Sequence, residues 1–168
     1  MNGILLNLAN LMRLRGGPQD LPASLPFMVL LVIAFLVQNL ITGQSLDDSD
    51  TAAKSLLAIA LQISVLWGLL YWRRRTERFV QTLSALVAVG IIFNAMTFAL
   101  LTQMVEDVNQ PFLAMTWFSV FIWSLFVDAN IYRQSLSVNL SMGMLITVVT
   151  LAISFVSIEF LFISESAP

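Results

Sequence analysis

Five apolar stretches divide this 168-residue chain, and its seven arginines occupy only alternate gaps between them. Arg13 and Arg15 precede the first stretch, and the next gap sets Asp47, Asp48 and Asp50 against the lone Lys54. Arg73, Arg74, Arg75 and Arg78 follow the second stretch, whereas Glu106 and Asp107 stand without a base after the third. Arg133 follows the fourth stretch, and only Glu165 charges the C-terminal end. Short loops rich in Lys and Arg stay on the cytoplasmic side of a membrane, and acidic residues contribute little to orientation. The alternation predicts five spans, with the N-terminus inside and the C-terminus outside.

Composition excludes several alternatives. Hydrophobic residues make up 58% of the chain and charged residues 11%, against about 45–50% and 25% in soluble domains. The net charge of −2 conceals a basic side and an acidic side, so it gives no reason to expect a nucleic-acid partner. Neither cysteine nor histidine is present. Disulfides, thiolate chemistry and the commonest metal ligand are thereby removed, and no cofactor is expected. The first long apolar run begins near residue 25 and exceeds the about 7–15 residues of a signal-peptide core, so it reads as a span.

Residues 1–17 form a different element, ahead of a five-helix transmembrane domain over 18–168. Ile4, Leu5, Leu8, Leu11 and Met12 recur at helical spacing on one face, while Asn7, Asn10 and Arg13 lie elsewhere around the axis. A segment this short cannot cross about 30 Å of hydrocarbon. Two placements fit it: an amphipathic helix in the cytoplasmic interface, or the same face packed on the chain's own spans or on a partner. Gly16, Gly17 and Pro18 are expected to end the helix.

The expected spans are about 25–43, 54–72, 79–103, 111–129 and 138–163. Ser24 is placed to cap the first, and Pro111 opens the fourth. The second ends in Trp67, Tyr71 and Trp72, aromatics suited to an interfacial belt. The third is long enough to require tilt. Because the connections are short, consecutive helices are expected to be antiparallel neighbours. The fold class is therefore all-α: a polytopic membrane protein with five transmembrane helices behind an amphipathic one.

Catalytic constellations are absent from the pattern. Acid–base chemistry needs two titratable groups within reach of one substrate. Asp128 and Glu159, the carboxylates within spans, are assigned by topology to opposite membrane faces. A non-enzymatic role follows. An ionisable residue at membrane depth is a functional candidate by default. Asp128 is nevertheless placed within about a turn of the interface, where an ion pair with Arg133 or a solvated helix end accounts for it. A polar path would have to run past Gln62, Asn94 and Asp128, with Gln81 a further amide.

Small residues recur in rows. Ala60, Ser64 and Gly68 are spaced by four, as are Ser84 with Ala88 and Ala95 with Ala99. Gly143, Thr147, Thr150, Ser154 and Ser157 follow one another by four and three. Close backbone approach and interhelical hydrogen bonds drive helix association in lipid, so these rows are expected to be packing seams. One of them could face another protein. Arg13, Arg15, Arg73, Arg74, Arg75 and Arg78 are expected to meet the anionic headgroups of the cytoplasmic leaflet.

Three local patterns support a resemblance. Arg13-Leu14-Arg15-Gly16-Gly17-Pro18 is a basic Gly-Pro break before the first span. Arg78-Phe79-Val80-Gln81-Thr82-Leu83-Ser84 is a basic turn running into a polar helix start. Trp123-Ser124-Leu125 leads to Arg133-Gln134-Ser135-Leu136-Ser137 before the last helix. Together they resemble the Yip1 family in its short bacterial members, which have a cytoplasmic N-terminal segment and five transmembrane helices. Eukaryotic relatives in that family act in vesicle trafficking and bind small GTPases. The resemblance implies a bacterial inner-membrane protein with no active site, one that shapes the membrane or engages partners. The first functional expectation is thus a scaffold or accessory subunit, working through a membrane-protein partner or self-association and through lipid contacts. The alternative is a small transporter or channel using Gln62, Asn94 and Asp128.

Overall fold

The structure, a computed structural model, describes residues 2–45, 50–104 and 110–163. Asp47, Asp48, Glu106, Asp107 and Glu165, which entered the charge pattern, lie outside the described residues. Every regular element among the described residues is helical. A short helix α1 (Asn2–Met12) precedes α2 (Leu25–Ser45), α3 (Thr51–Trp72), α4 (Phe79–Leu101), α5 (Pro111–Leu136) and α6 (Leu140–Ile163). The last five are long and apolar enough to cross a membrane. Short 3₁₀ turns at Pro18–Asp20 and Thr76–Arg78 lead into α2 and α4.

Burial identifies α4 as the axis of the bundle, since every residue from Thr82 to Val89 is buried. Leu83, Ala85 and Val87 on this helix belong to one buried core with Leu66, Leu70, Val127 and Ile131. α4 packs chiefly against α2 and α5, and α3 rests mainly on α2 and α6. The expectation that each helix would lie beside its predecessor is met least at α3 and α4, which touch but pack more extensively on other helices. Small side chains on α4 let other helices approach it closely, and in lipid close approach outweighs chain order.

One end of the bundle is basic. Arg73–Arg78 join α3 to α4 there, Arg133 lies in the last turn of α5, and the turn carrying Arg13 and Arg15 is tied to the same end of α5. Arg75 Nη1 donates to Ser137 Oγ at 2.6 Å and Arg78 Nη1 donates to the Gln134 carbonyl at 3.1 Å. Lys54 lies at the other end, in the first turn of α3, with its ammonium 5.8 Å from the centre of the Phe162 ring.

Two expected boundaries move. α5 continues to Leu136, well past the expected stop at 129. Asn130 and Gln134 are not a solvated tail, since both donate to the Gly16 carbonyl, at 3.4 and 2.6 Å. The first helix ends at Met12, ahead of the glycines, and Gly16 joins its end only through its N–H, bonded to the Asn10 carbonyl at 3.1 Å. Its stop is a left-handed residue, Leu14 at φ 61, with Arg15 N–H bonded back to the Asn10 carbonyl at 2.8 Å, which is the Schellman pattern. Gly17 serves packing instead, because a Cβ there would run into the side chains of Gln134 and Gln19.

α1 docks on the bundle, packing against α4 and α5. Leu11 is fully buried, and Ile4, Leu8 and Met12 pack beside it. Trp123 Nε1 donates to the Met12 carbonyl at 3.0 Å, and its ring meets Phe93 edge-on at 5.2 Å. Of the two placements open to this segment, the described structure has its apolar face on the chain's own spans. Leu5, assigned to that face by spacing, is exposed.

Candidate functional site

Four helices converge on an open cavity of about 230 Å³. α3 contributes Ala58 and Gln62, and α4 contributes Leu86. α5 contributes Asp128 and Tyr132, while α6 contributes Thr147, Thr150, Leu151 and Ser154. The spacing explains the assembly. Residues three and four apart share a helix face, so Ala58 with Gln62, Asp128 with Tyr132, and the α6 hydroxyls each present one stripe to the same space.

The continuation of α5 to Leu136 changes where Asp128 sits. It lies about 12 Å along the axis from that helix end, at about 1.5 Å per residue. Gln62 and Thr150 fall near the middles of α3 and α6. Asp128 therefore sits about two turns from the end of α5, further in than a helix stop at 129 implies. The expected ion pair is not formed either: Asp128 lines the cavity beside Tyr132, and no ion pair joins it to Arg133. Five residues along a helix is nearly half a turn away in direction, which separates the two side chains.

Chemically the lining is an oxygen set around one carboxylate. Asp128, the Gln62 amide and the hydroxyls of Tyr132, Thr147, Thr150 and Ser154 all belong to it. Thr147 Oγ1 donates to the Gly143 carbonyl at 3.1 Å, and the buried Thr150 hydroxyl lies beside that of Tyr132. Carboxylate, carbonyl and hydroxyl oxygens are hard ligands. Among the described residues no three His, Cys, Asp or Glu side chains gather to hold a metal. A single carboxylate with neutral oxygens around it matches a singly charged cation or an ammonium group.

The other expected sites separate by use. On α6, Gly143 packs so closely on α5 that a Cβ would strike the Ala129 carbonyl, and Thr147 is buried. Thr147, Thr150 and Ser154, from the same row, line the cavity, and Ser157 lies beyond it, partly buried. On α4, Ser84 and Ala88 are buried, whereas Ala95 and Ala99 are exposed. The α3 row faces outward: Ala60, Ser64 and Gly68 are exposed, and nothing lies within 4 Å of a Cβ built on Gly68. Asn94 is partly buried away from the cavity lining, and Gln81 is spent on the Leu21 carbonyl at 3.1 Å. Glu159 lies on α6 towards the end of the bundle opposite the arginines.

Of the arginines, Arg75 and Arg78 fasten α5, while Arg13, Arg15, Arg73 and Arg74 are exposed. The sequence reading passed over Tyr132, although its place one turn from Asp128 was the available signal. No family model, no curated protein and no solved structure matches this chain.

Proposed function

We propose that this chain is a non-catalytic, multi-pass protein of a bacterial inner membrane whose working site is the Asp128 cavity. The site holds a small monovalent cation or a protonated amine on its way through the bilayer. One observation carries the reading: a carboxylate with no ion pair among the described residues lines a hydroxyl-rich cavity among four spans. Ionisable residues within spans are costly and mark solute or ion pathways. This is the transporter alternative, with Tyr132 and the α6 hydroxyls in the place of Asn94. The orientation belongs to the same proposal. With all arginines at one end and Lys54 at the other, the positive-inside rule makes the basic end cytoplasmic. The likeness to the Yip1 family, carried by Arg13–Pro18 and the Arg133–Ser137 turn, is part of the proposal as well.

Flux into liposomes tests it, with potassium, sodium and methylammonium as separate probes. Wild-type protein should pass at least one of them above empty vesicles. Asp128→Asn should remove that flux, and Asn94→Leu should leave it. Flux that is absent from wild type, or equal in Asp128→Asn, refutes the proposal.

A second reading, the scaffold or accessory subunit, rests on the outward row Ala60, Ser64 and Gly68. Small residues spaced by four let a further helix approach. Because the chain has no cysteine, single cysteines at these positions report contacts cleanly. Cross-links in cells to a second copy or to another membrane protein support this reading, and recovery of monomer alone removes it.

A further inference from the structure

At the basic end, a groove of about 510 Å³ runs between the end of α3 and the start of α6. Its lining is Arg73, Val138, Asn139, Ser141, Met142 and Leu145. We infer that this groove binds one anionic phospholipid, with the phosphate on Arg73 and an acyl chain over Val138, Met142 and Leu145.

The charge at the groove is uncompensated. Arg75 and Arg78 are engaged by Ser137 and Gln134. The Arg73 side chain is exposed and has no hydrogen-bond or ion-pair partner among the described residues. No carboxylate lines the groove, so nothing there would attract the ammonium of a zwitterionic headgroup. A guanidinium suits phosphate because its planar fork can donate two parallel hydrogen bonds.

The lining has polar residues, Arg73, Asn139 and Ser141, and apolar ones, Val138, Met142 and Leu145. The Asn139 side chain is already occupied, its Oδ1 accepting from Met142 N–H at 2.9 Å. From Leu145 an apolar track continues along α6 over Val149 and Ala152, all three exposed. From Ser141 to Ala152 the helix rises about 16 Å, at about 1.5 Å per residue. That is about the thickness of one leaflet, half of about 30 Å of hydrocarbon. A free phosphate would use only the polar residues, whereas a phospholipid uses the apolar track as well.

The inference is independent of the Asp128 cavity and is tested separately. Phosphatidylglycerol carrying a photoactivatable group in one acyl chain is incorporated into nanodiscs with the purified protein. The labelled peptides are then mapped. Label should concentrate within residues 138–152 and fall about fivefold in Arg73→Gln, the worth of one basic residue at an anionic surface. Arg73→Lys should restore most of it, and Arg74→Gln should leave it unchanged. The phosphatidylcholine analogue should label weakly and without dependence on Arg73, and excess inorganic phosphate should not displace the label. Equal labelling of wild type and Arg73→Gln overturns the inference. So does equal labelling by phosphatidylcholine, and so does full displacement by inorganic phosphate, which would make this a site for free phosphate.

Discussion

The hydroxyl oxygens of Thr82 and Ser135 lie 2.9 Å apart where α4 crosses α5, and both side chains are fully buried. Ser135 donates to the Ile131 carbonyl at 2.8 Å. Thr82 divides its one proton between Ser135 Oγ and the Arg78 carbonyl, the latter also at 2.8 Å. The pair links the central helix to the helix that carries Asp128. Interhelical hydrogen bonds of this kind couple by about 0.6 kcal/mol in membrane proteins. Thr82→Val and Ser135→Ala should therefore each destabilise the bundle modestly, and the double variant should cost less than their sum by about that amount. Unfolding in mixed micelles measures the cycle. Strict additivity would show that the two hydroxyls do not act together.

Two glycines should respond in opposite directions. A Cβ on Gly143 would collide with the Ala129 carbonyl, a backbone atom that cannot rotate away. Gly143→Ala should cost about 1–3 kcal/mol, the usual range for overpacking, and should disturb the α5–α6 contact that forms one wall of the Asp128 cavity. Nothing lies within 4 Å of a Cβ on Gly68. Gly68→Ala should be neutral or should stabilise by up to about 1 kcal/mol through helix propensity. Thermal unfolding in the same detergent decides both. A destabilised Gly68→Ala would show that this face is occupied in the purified protein.

The five spans were readable because hydropathy accumulates over twenty or so residues and tolerates local error. The site was harder to read. Asn130, Arg133 and Gln134 look like a helix leaving the membrane, which placed the boundary at 129. The amides are instead satisfied by the Gly16 carbonyl, more than a hundred residues away in sequence, a partner that no local pattern reveals. The α6 row presented a different difficulty. A small residue that packs, such as Gly143, and one that lines a cavity, such as Thr150, recur with the same helical period. Periodicity identifies the face, and only the neighbouring helices determine whether it closes or leaves a space.

Backbone conformation gives a third prediction. Leu14, Arg74 and Ser137 have φ of 61°, 55° and 51°, a region that costs an L-residue about 1–2 kcal/mol. Leu14 is 43% exposed, so its side chain offsets little of that cost. Leu14→Gly should stabilise by about 1 kcal/mol, and Arg74→Gly should behave similarly. Ser137→Gly should be close to neutral, because relief of the backbone is offset by loss of the bond from Arg75 Nη1. Melting temperatures of the three variants test the ordering. A lower value for Leu14→Gly would mean that the Leu14 side chain has a contact worth more than the strain.

Docking of α1 yields the most discriminating comparison, because spacing and structure disagree about Leu5. Leu11 is fully buried, Leu8 and Met12 pack on the core, and Leu5 is 66% exposed. Asn7 Nδ2 also donates to the Asp20 carbonyl at 2.6 Å, and Trp123 holds the Met12 carbonyl. Burying one large apolar side chain is worth about 1.5–3 kcal/mol, more than the about 1 kcal/mol by which Arg13 or Arg15 is attracted to an anionic surface. Leu11→Glu, or Leu8→Glu with Met12→Glu, should therefore release α1 while the five spans remain inserted. Leu5→Glu should leave it docked. Cleavage by trypsin at Arg13 and Arg15, in inside-out vesicles, reads the difference. The release variants should be cut rapidly, with wild type and Leu5→Glu protected. If Leu5→Glu is cut as fast as Leu11→Glu, α1 is held by the bilayer on its Leu5 side and the docking seen here is not what retains it.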